Sequence, residues 1–327
     1  MTVQQNISTL KPSTLRIYGA GGLAVNLLSP YLAKQQNEEV AGYASIDAVC
    51  IDTSRSNLLP NINEQRFYHI KGLDGGGKLR SLNVTETLSE TKPFLAEHPA
   101  RDVNLVLFSG AGATGATAGP VIFKDLIEHD KPTIAVVVLT DNSQIEAENS
   151  RKTIATLANM AKKVGKPFVC HFIYAHNRAD ADKQVREFIS DIALLFSNNH
   201  LELDSADLKH FINYTTVTSA PASLAAIKCY VTNDVKTLNL RNVISVAELH
   251  PSTDVPTGIL KAEYSAVGYP RHGIEGSFIF AISTEGIEDI VKALEERENE
   301  FKRLSEGRRV IDVNSSDAVE DDSGLIL

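Results

Sequence analysis

The chain has 327 residues, of which 43% are hydrophobic and 22% are charged, a composition typical of folded globular proteins. This length is sufficient for two domains. The formal net charge of −9 argues against a nucleic-acid-binding face, because such a face needs a local excess of Lys and Arg. No apolar run approaches the roughly 18 residues of a membrane helix, and the first residues lack a signal-peptide pattern. We therefore expect a cytoplasmic protein without membrane contact.

The three cysteines, Cys50, Cys170 and Cys229, lie far apart in the sequence. Two of them fall inside apolar, strand-like runs. We expect buried free thiols rather than a disulfide framework.

Five short, β-branched runs in the first half of the chain predict a parallel sheet with helices on both faces. They span residues 15–18, 46–51, 103–108, 133–139 and 168–174. In sheets of this class, ligands bind beyond the carboxyl ends of the strands. The loops after these runs are therefore the first candidates for a binding site.

The pattern changes after residue 182, where apolar residues recur three and four apart and predict one long helix. Runs at 243–249, 259–267 and 277–282 predict strands of a second, mixed sheet. Helical spacing returns over 287–304. The last fifteen residues contain four acids and no base, which is typical of a disordered acidic tail.

A glycine-rich loop follows the first strand. Residues 19–24, with the sequence GAGGLA, match the dinucleotide-binding fingerprint, and Asp52 after the second strand is placed to accept a ribose hydroxyl. An NAD-dependent Rossmann oxidoreductase is therefore one hypothesis. No P-loop motif of the Walker type occurs in the sequence.

Two further loops of small residues favour a triphosphate over a dinucleotide. Residues 109–117 follow the 103–108 strand, and Gly75-Gly76-Gly77-Lys78 lies in the connection between the two loops. Small residues allow several backbone N–H groups to converge on one anion at a helix N-terminus. Thr114 adds a hydroxyl to this predicted phosphate cradle.

The run from Ala111 to Thr117, AGATGAT, resembles the tubulin/FtsZ signature G-G-T-G-[S/A/T]-G, with Ala113 and Thr117 in place of two family glycines. The resemblance extends over most of the chain and is greatest to the phage-encoded tubulins of the PhuZ type. It implies an α/β fold: a Rossmann-like GTP-binding domain with a parallel sheet at 1–180, a long central helix at 181–200, and a smaller α/β activation domain at 201–285. A C-terminal helix at 286–311 and an acidic tail at 312–327 complete this predicted organisation.

In this family the loops bind GTP or GDP, and the resemblance assigns Asn26 and Asn177 to the base and Glu146 and Arg151 to the ribose region. Mg²⁺ would be held by the phosphates, and no side chain is assigned to it. The implied nucleotide-binding residues are Gly19, Ala20, Gly21, Gly22, Asn26, Asp52, Gly75, Gly76, Gly77, Gly110, Ala111, Gly112, Ala113, Thr114, Gly115, Glu146, Arg151 and Asn177.

Asp204 and Asp207 match the two acids of a family loop, N-x-D-x-x-D, in which Glu202 here replaces the Asn. In the family this loop, at 201–208, reaches into the neighbouring subunit and completes its GTPase site. By spacing alone, the two acids also suit the N-cap and first turn of a helix over 205–214. The two interpretations are compatible, and both remain open.

The resemblance implies a GTPase that polymerises head to tail into filaments. The short connection at 175–180 and the acidic tail are features of the phage-encoded group, whose implied role is to position phage DNA in the cytoplasm of an infected bacterium. The tail is expected to contact a neighbouring subunit, and no direct contact with nucleic acid is expected. Plasmid segregation and cell division are the alternative roles within the fold.

Overall fold

A computed structural model describes residues 12–34 and 40–306. The strands, numbered in chain order, are β1 Thr14–Ala20, β2 Ser45–Asp52, β3 Phe67–His69, β4 Val103–Ser109, β5 Thr133–Leu139, β6 Phe168–Tyr174, β7 His200–Leu201, β8 Leu224–Thr232, β9 Val243–Leu249, β10 Tyr264–Pro270 and β11 Ser277–Ser283. The helices are α1 Gly22–Leu32, α2 Val84–Glu97, α3 Thr114–Glu128, α4 Gln144–Val164, α5 Arg178–Leu195, α6 Ser205–Ile212 and α7 Ile287–Glu306.

The first six strands form the predicted parallel sheet, in the order β3-β2-β1-β4-β5-β6. Both of its faces are covered. In β1, Leu15 and Ile17 point into one buried core, while Tyr18 and Ala20 point into the other. This double burial explains why the strands are nearly continuous apolar runs. The predicted bounds of β5 and β6 are confirmed.

The prediction of a separate second sheet is wrong. Strand β8 pairs in parallel with β6 through three residue pairs, beginning with Phe168 opposite Leu224, and the order continues as β8-β11-β9-β10-β7. One sheet of eleven strands therefore runs through the described chain. The strand predicted at 259–267 occupies Tyr264–Pro270, because Leu260 instead packs into a small core with Val246 and Ile279.

The long central helix is present as α5, from Arg178 to Leu195, so residues 196–200 of the predicted helix lie outside it. Its buried face carries Val185, Phe188, Ile189 and Ile192. The C-terminal helix, α7, ends its described part at Glu306, and the predicted acidic tail lies outside the described residues. No helix within the described ranges is long and apolar enough to cross a membrane.

The three cysteines are free thiols, as predicted. Cys50 and Cys170 are fully buried, and Cys229 is partly buried. Burial raises the pKa of each thiol above its ordinary value.

Candidate functional site

A cavity of about 530 Å³ lies at the carboxyl ends of β1, β2 and β4. All three glycine-rich loops contribute to its lining, which consists of residues 20–23, 52–54, 56–57, 74–78, 109 and 112–115. The fold therefore brings together loops that are separated by up to about ninety residues in the sequence, as expected for a parallel sheet.

The first two loops touch each other through their backbones. Gly21 has a φ of +79°, in the left-handed region, and a Cβ placed on it would lie 2.7 Å from the Gly115 nitrogen. Real Cβ atoms essentially never approach backbone that closely. Glycine is therefore required at position 21, both for its conformation and for the space it leaves.

Two helices begin at the cavity, α1 at Gly22 and α3 at Thr114. In the described structure, neither has a side chain capping its N-terminus or an acid in its first turn. The N–H groups of these first turns, with the positive ends of the helix dipoles, therefore remain available to an anion. Ala113, which replaces a family glycine, has a φ of −83°, a conformation open to any L-residue.

The third loop packs against the second. A Cβ on Gly76 would lie 2.6 Å from that of Ala113. The Asn149 side chain ties the two loops together, since its Nδ2 donates to the carbonyl oxygens of Lys78, at 2.8 Å, and of Ala111, at 3.1 Å. This role of Asn149 is not predictable from the sequence, because the helical pattern around it does not show which loops lie opposite.

Asp52 is buried beside the cavity, with 2% of its surface exposed. Its Oδ1 accepts the backbone N–H of Thr53 at 2.7 Å, while Oδ2 has no hydrogen-bond partner among the described residues. Burial raises the pKa of this carboxyl to about 6, although hydrogen bonds from Thr53 and Thr114 oppose the shift. A buried carboxylate oxygen without a partner fits a hard divalent cation such as Mg²⁺. Within the described ranges, no group of three or more His, Cys, Asp or Glu residues is arranged to hold a metal ion, so most ligands would have to come from elsewhere.

Glu146 lies at the start of α4, next to the third loop. Its Oε1 is 2.5 Å from Lys78 Nζ, and its Oε2 accepts hydrogen bonds from Thr140 Oγ1 at 2.9 Å and from the Asn142 N–H at 3.2 Å. Burial raises the pKa of this carboxyl, but the hydrogen bonds outweigh burial and hold the pKa below its ordinary value. In the structure Glu146 therefore contacts protein groups, whereas the resemblance implies that it contacts the ribose.

Arg151 does not line the cavity. It forms a bidentate ion pair with Glu298 of α7, with distances of 2.6 Å and 3.3 Å. Its guanidinium thus joins α4 to the C-terminal helix, and its assignment to the ribose region stays a prediction.

The two asparagines assigned to the base lie apart from the lining residues. Asn26 is half-buried on α1, one turn after Gly22. Asn177 is exposed, and its side chain accepts the backbone N–H of Asp180 at 2.9 Å, which makes it the N-cap of α5. Both lie on elements that begin at the carboxyl edge of the sheet, so their assignment to the base stays a prediction.

Asp204 and Asp207 form a capping box at the start of α6. Asp204 Oδ1 accepts the N–H groups of Ala206, at 2.7 Å, and Asp207, at 3.0 Å, while the Asp207 carboxylate accepts the Asp204 N–H at 3.1 Å. The capping interpretation is therefore confirmed. Hydrogen bonds from the Asp207 and Ala206 N–H groups lower the pKa of the Asp204 carboxyl.

The capping box lies at the other end of the sheet from the glycine loops. Asp204 borders a second cavity with Thr14, Val103 and Pro132, which stand at or just before the amino ends of β1, β4 and β5. The seven residues of β1, at about 3.3 Å each, separate the two edges by about 23 Å. One subunit therefore cannot bring these acids to its own glycine loops.

Comparison with solved structures shows which fold this arrangement belongs to. The protofilament of TubZ from bacteriophage PhiKZ superposes with a TM-score of 0.82 at 21% identity, covering 96% of this chain and 99% of that chain. The chain has the tubulin/FtsZ fold. The tubulin-like chain is similarly close to the PhuZ201 filament structure, with a TM-score of 0.79, 20% identity and coverage of 96% and 99% of the two chains.

Curated relatives of the tubulin-like chain are phage tubulin-like proteins. That of Pseudomonas phage PhiPA3 is 31% identical over 173 residues, which are 52% of this chain and 55% of the relative. That of Pseudomonas phage phiKZ is 25% identical over 242 residues, 72% of this chain and 73% of the relative. The PhiPA3 match thus spans about half of that relative's length. No protein-family model matches the chain. The resemblance to phage-encoded tubulins inferred from the sequence is confirmed.

Two parts of the cavity in this tubulin-like chain are absent from the residues predicted to bind the nucleotide. One is the segment after β2, where Ser54, Ser56 and Asn57 join the lining. The other is the side chain of Lys78, which lines the cavity beside its three glycines and is absent from the nucleotide-binding residues that the resemblance implies. The contribution of Lys78 could have been predicted, since a lysine directly after a glycine run is suited to bind phosphate.

Proposed function

We propose that this chain is a GTPase that assembles head to tail into filaments. GTP held at the glycine loops of one subunit is hydrolysed with the help of Asp204 and Asp207 of the next. The observation that carries this proposal is the distance of about 23 Å between the two parts of the site, along the seven-residue strand β1. Solved neighbours described as a TubZ protofilament and a PhuZ filament support assembly, and a neighbour described as the phage tubulin PhuZ with GDP supports a guanine nucleotide.

The uncapped first turns of α1 and α3 would bind the phosphates through their N–H groups. Asp52, with its unpartnered Oδ2, would hold a Mg²⁺ ion that is otherwise carried by the phosphates. When bound, such an ion spreads the negative charge that develops on the leaving phosphate. The resemblance assigns the base to Asn26 and Asn177.

The acids of the neighbouring subunit would orient the attacking water. A carboxyl whose pKa is lowered, as at Asp204, accepts a proton poorly, so Asp204 acts by hydrogen bonding and by its charge rather than as a strong base. Asp207 is held in place by the Asp204 N–H and by the Tyr264 hydroxyl, which donates to its Oδ1 at 3.3 Å. Two fixed carboxylates at the subunit boundary are suited to position one water molecule.

The filament would form in the cytoplasm of an infected bacterium and position phage DNA there, without binding the DNA itself. We also propose that the acidic tail at 312–327, with Asp317, Glu320, Asp321 and Asp322, contacts a neighbouring subunit. Lys131, Lys166 and Lys209 line a cavity at the amino edge of the sheet and supply a surface of opposite charge. Deletion of 312–327 should raise the critical concentration for assembly in a sedimentation assay, and an unchanged value would contradict the tail contact.

The assembly proposal is tested by light scattering of the purified chain after addition of GTP, with phosphate release followed in parallel. Scattering should rise above a critical concentration and fall as GTP is consumed. Addition of NAD in place of GTP serves as the control for the dinucleotide hypothesis. Tight NAD binding with no scattering in GTP would refute the proposal.

A further inference from the structure

Two leucines stand exposed beside the nucleotide cavity. Leu79 and Leu82 each have 50% of their surface exposed. Leu79 directly follows Lys78, which lines that cavity, and consecutive Cα atoms are only about 3.8 Å apart. A single exposed leucine needs no explanation, but this pair lies at the sheet edge where the proposed filament contact forms.

The backbone that carries the two leucines is held in place. The N–H groups of Leu79 and Leu82 each donate to the carbonyl oxygen three residues earlier, at 2.8 Å and 3.0 Å. Between them, Arg80 donates to the carbonyl oxygens of Ala116, at 3.1 Å, and of Asn149, at 3.4 Å. These bonds hold the segment over the first turns of α3 and α4, so Leu79 is presented by a defined turn.

A cavity of about 220 Å³ at the opposite edge of the sheet is suited to receive such a side chain. Besides its lysines, its lining contains Ile127, Pro132, Pro167 and Ile212. Ile127 lies in the last turn of α3, and Pro167 lies just after α4. The cavity is therefore at the far ends of the two helices whose first turns carry Leu79.

This cavity also adjoins the proposed catalytic acids, since it shares Pro132 and Lys209 with the cavity that Asp204 borders. When Asp204 of one subunit approaches the nucleotide of its neighbour, an amino edge lies against a carboxyl edge. Subunits stacked along the strand direction then place the far ends of α3 and α4 over the first turns of these helices in the next molecule. In this arrangement Leu79 faces the cavity.

We propose that Leu79 inserts into the amino-edge cavity of a second copy of this chain and stabilises the head-to-tail contact. The inference rests on the proposed function, because it names the surface by which successive filament subunits bind each other. The acidic tail would contact the lysines of this cavity, whereas Leu79 would contact its apolar side chains.

The test measures the critical concentration for assembly of the full-length protein by sedimentation, with the slowly hydrolysed analogue GTPγS so that turnover does not shorten the filaments. Leu79→Ser should raise this concentration roughly 5- to 20-fold, the range expected for a leucine that becomes buried on contact. Leu79→Met should keep it within about threefold, because Met is apolar and of similar volume. Leu88→Ser is the matched control and should have little effect, because Leu88 is a leucine of 41% exposure in the second turn of α2. GTPγS affinity below the assembly concentration should be the same in all variants.

Thr216→Phe tests the receiving side of the contact. Thr216 is exposed and lines the cavity, so a phenylalanine there would fill the cavity and raise the critical concentration at least about fivefold. Thr216→Val is the control, because it removes the hydrogen bond with His210 and adds no bulk. Leu79→Ser combined with Thr216→Phe should be no worse than the stronger single variant, since both remove the same contact. Circular dichroism checks folding, and the Leu79 variants, at an exposed position, decide the question if Thr216→Phe does not fold.

Normal assembly of Leu79→Ser, an equal effect of Leu88→Ser, or additive effects in the double variant would overturn the docking of Leu79 and leave the proposed GTPase filament intact. Loss of the Thr216→Phe effect on deletion of 312–327 would also overturn it, because the tail would then be the occupant. A wild-type protein that assembles with neither GTP nor GTPγS would overturn both proposals.

Discussion

Replacement of Asp204 by Asn removes the charge of one proposed catalytic acid and keeps the cap of α6. Asn and Asp are equally good N-cap residues, so the hydrogen bonds to Ala206 and Asp207 have an acceptor in the variant. GTP binding should be unchanged, because the acid lies at the opposite sheet edge from the cavity. We expect turnover to fall by about 10² to 10⁴. Asp102→Asn is the control, since Asp102 borders the same amino-edge cavity without an assigned catalytic role.

Mixing two inactive proteins tests whether the site is shared between subunits. Gly21→Ala should abolish nucleotide binding, because its Cβ would meet the Gly115 nitrogen at 2.7 Å, but it leaves Asp204 and Asp207 intact. In an equal mixture with Asp204→Asn, random head-to-tail contacts would pair an intact cavity with intact acids at roughly a quarter of the interfaces. Phosphate release should therefore recover to about a quarter of the wild-type rate.

Two results would refute this reasoning. One is a mixture that is no more active than its separate components although electron microscopy shows copolymers. The other is a wild-type sample, diluted below assembly, that hydrolyses GTP as fast per molecule as a concentrated one.

Two further predictions concern stability. The folded-state pKa of Asp52 is about 6 against an ordinary 3.8, so protonation of this carboxyl favours the folded protein, and that advantage is lost as the pH rises from about 4 to 6. Asp52→Asn should therefore raise the unfolding free energy of nucleotide-free protein above pH 6 by up to about 3 kcal/mol and weaken Mg²⁺-dependent GTP binding. A variant that is less stable than wild type at pH 7 in urea titrations would contradict this. Arg151→Gln should lower the unfolding free energy by about 2 kcal/mol, because it leaves the buried Glu298 carboxylate unpaired, and it should not change GTP affinity. The control Lys152→Gln, which breaks the exposed pair with Glu148, should lower the unfolding free energy by less than about 0.5 kcal/mol. A selective loss of GTP affinity in Arg151→Gln would favour the assignment of Arg151 to the ribose region.

The sequence was informative wherever the determining contacts are local. Apolar runs predicted β5 and β6 to the residue, and the spacing of Asp204 and Asp207 predicted a helix start. The pairing of β8 with β6 was not predictable in this way, since it depends on contacts between residues more than fifty positions apart. For the same reason, the pattern in the second half of the chain predicts a separate sheet, whereas the structure has one continuous sheet.

The same limit applies to the candidate site. Loop composition identified the three loops that line the cavity, because glycine and alanine are needed where backbones approach closely. The ion pair of Arg151 with Glu298 could not be predicted, because Glu298 lies 147 residues further along the chain. The position of Arg151 relative to a family arginine does not indicate how α4 packs against α7. Asn149 was missed because its two acceptors come from two different loops.

The separation of the glycine loops from Asp204 has a consequence for the ends of the proposed filament. The terminal subunit at one end has an open cavity with no following molecule to supply carboxylates. Its nucleotide is therefore not cleaved until another subunit arrives. The terminal subunit of such a polymer therefore holds an uncleaved triphosphate. Subunits farther from that tip have held their nucleotides for longer.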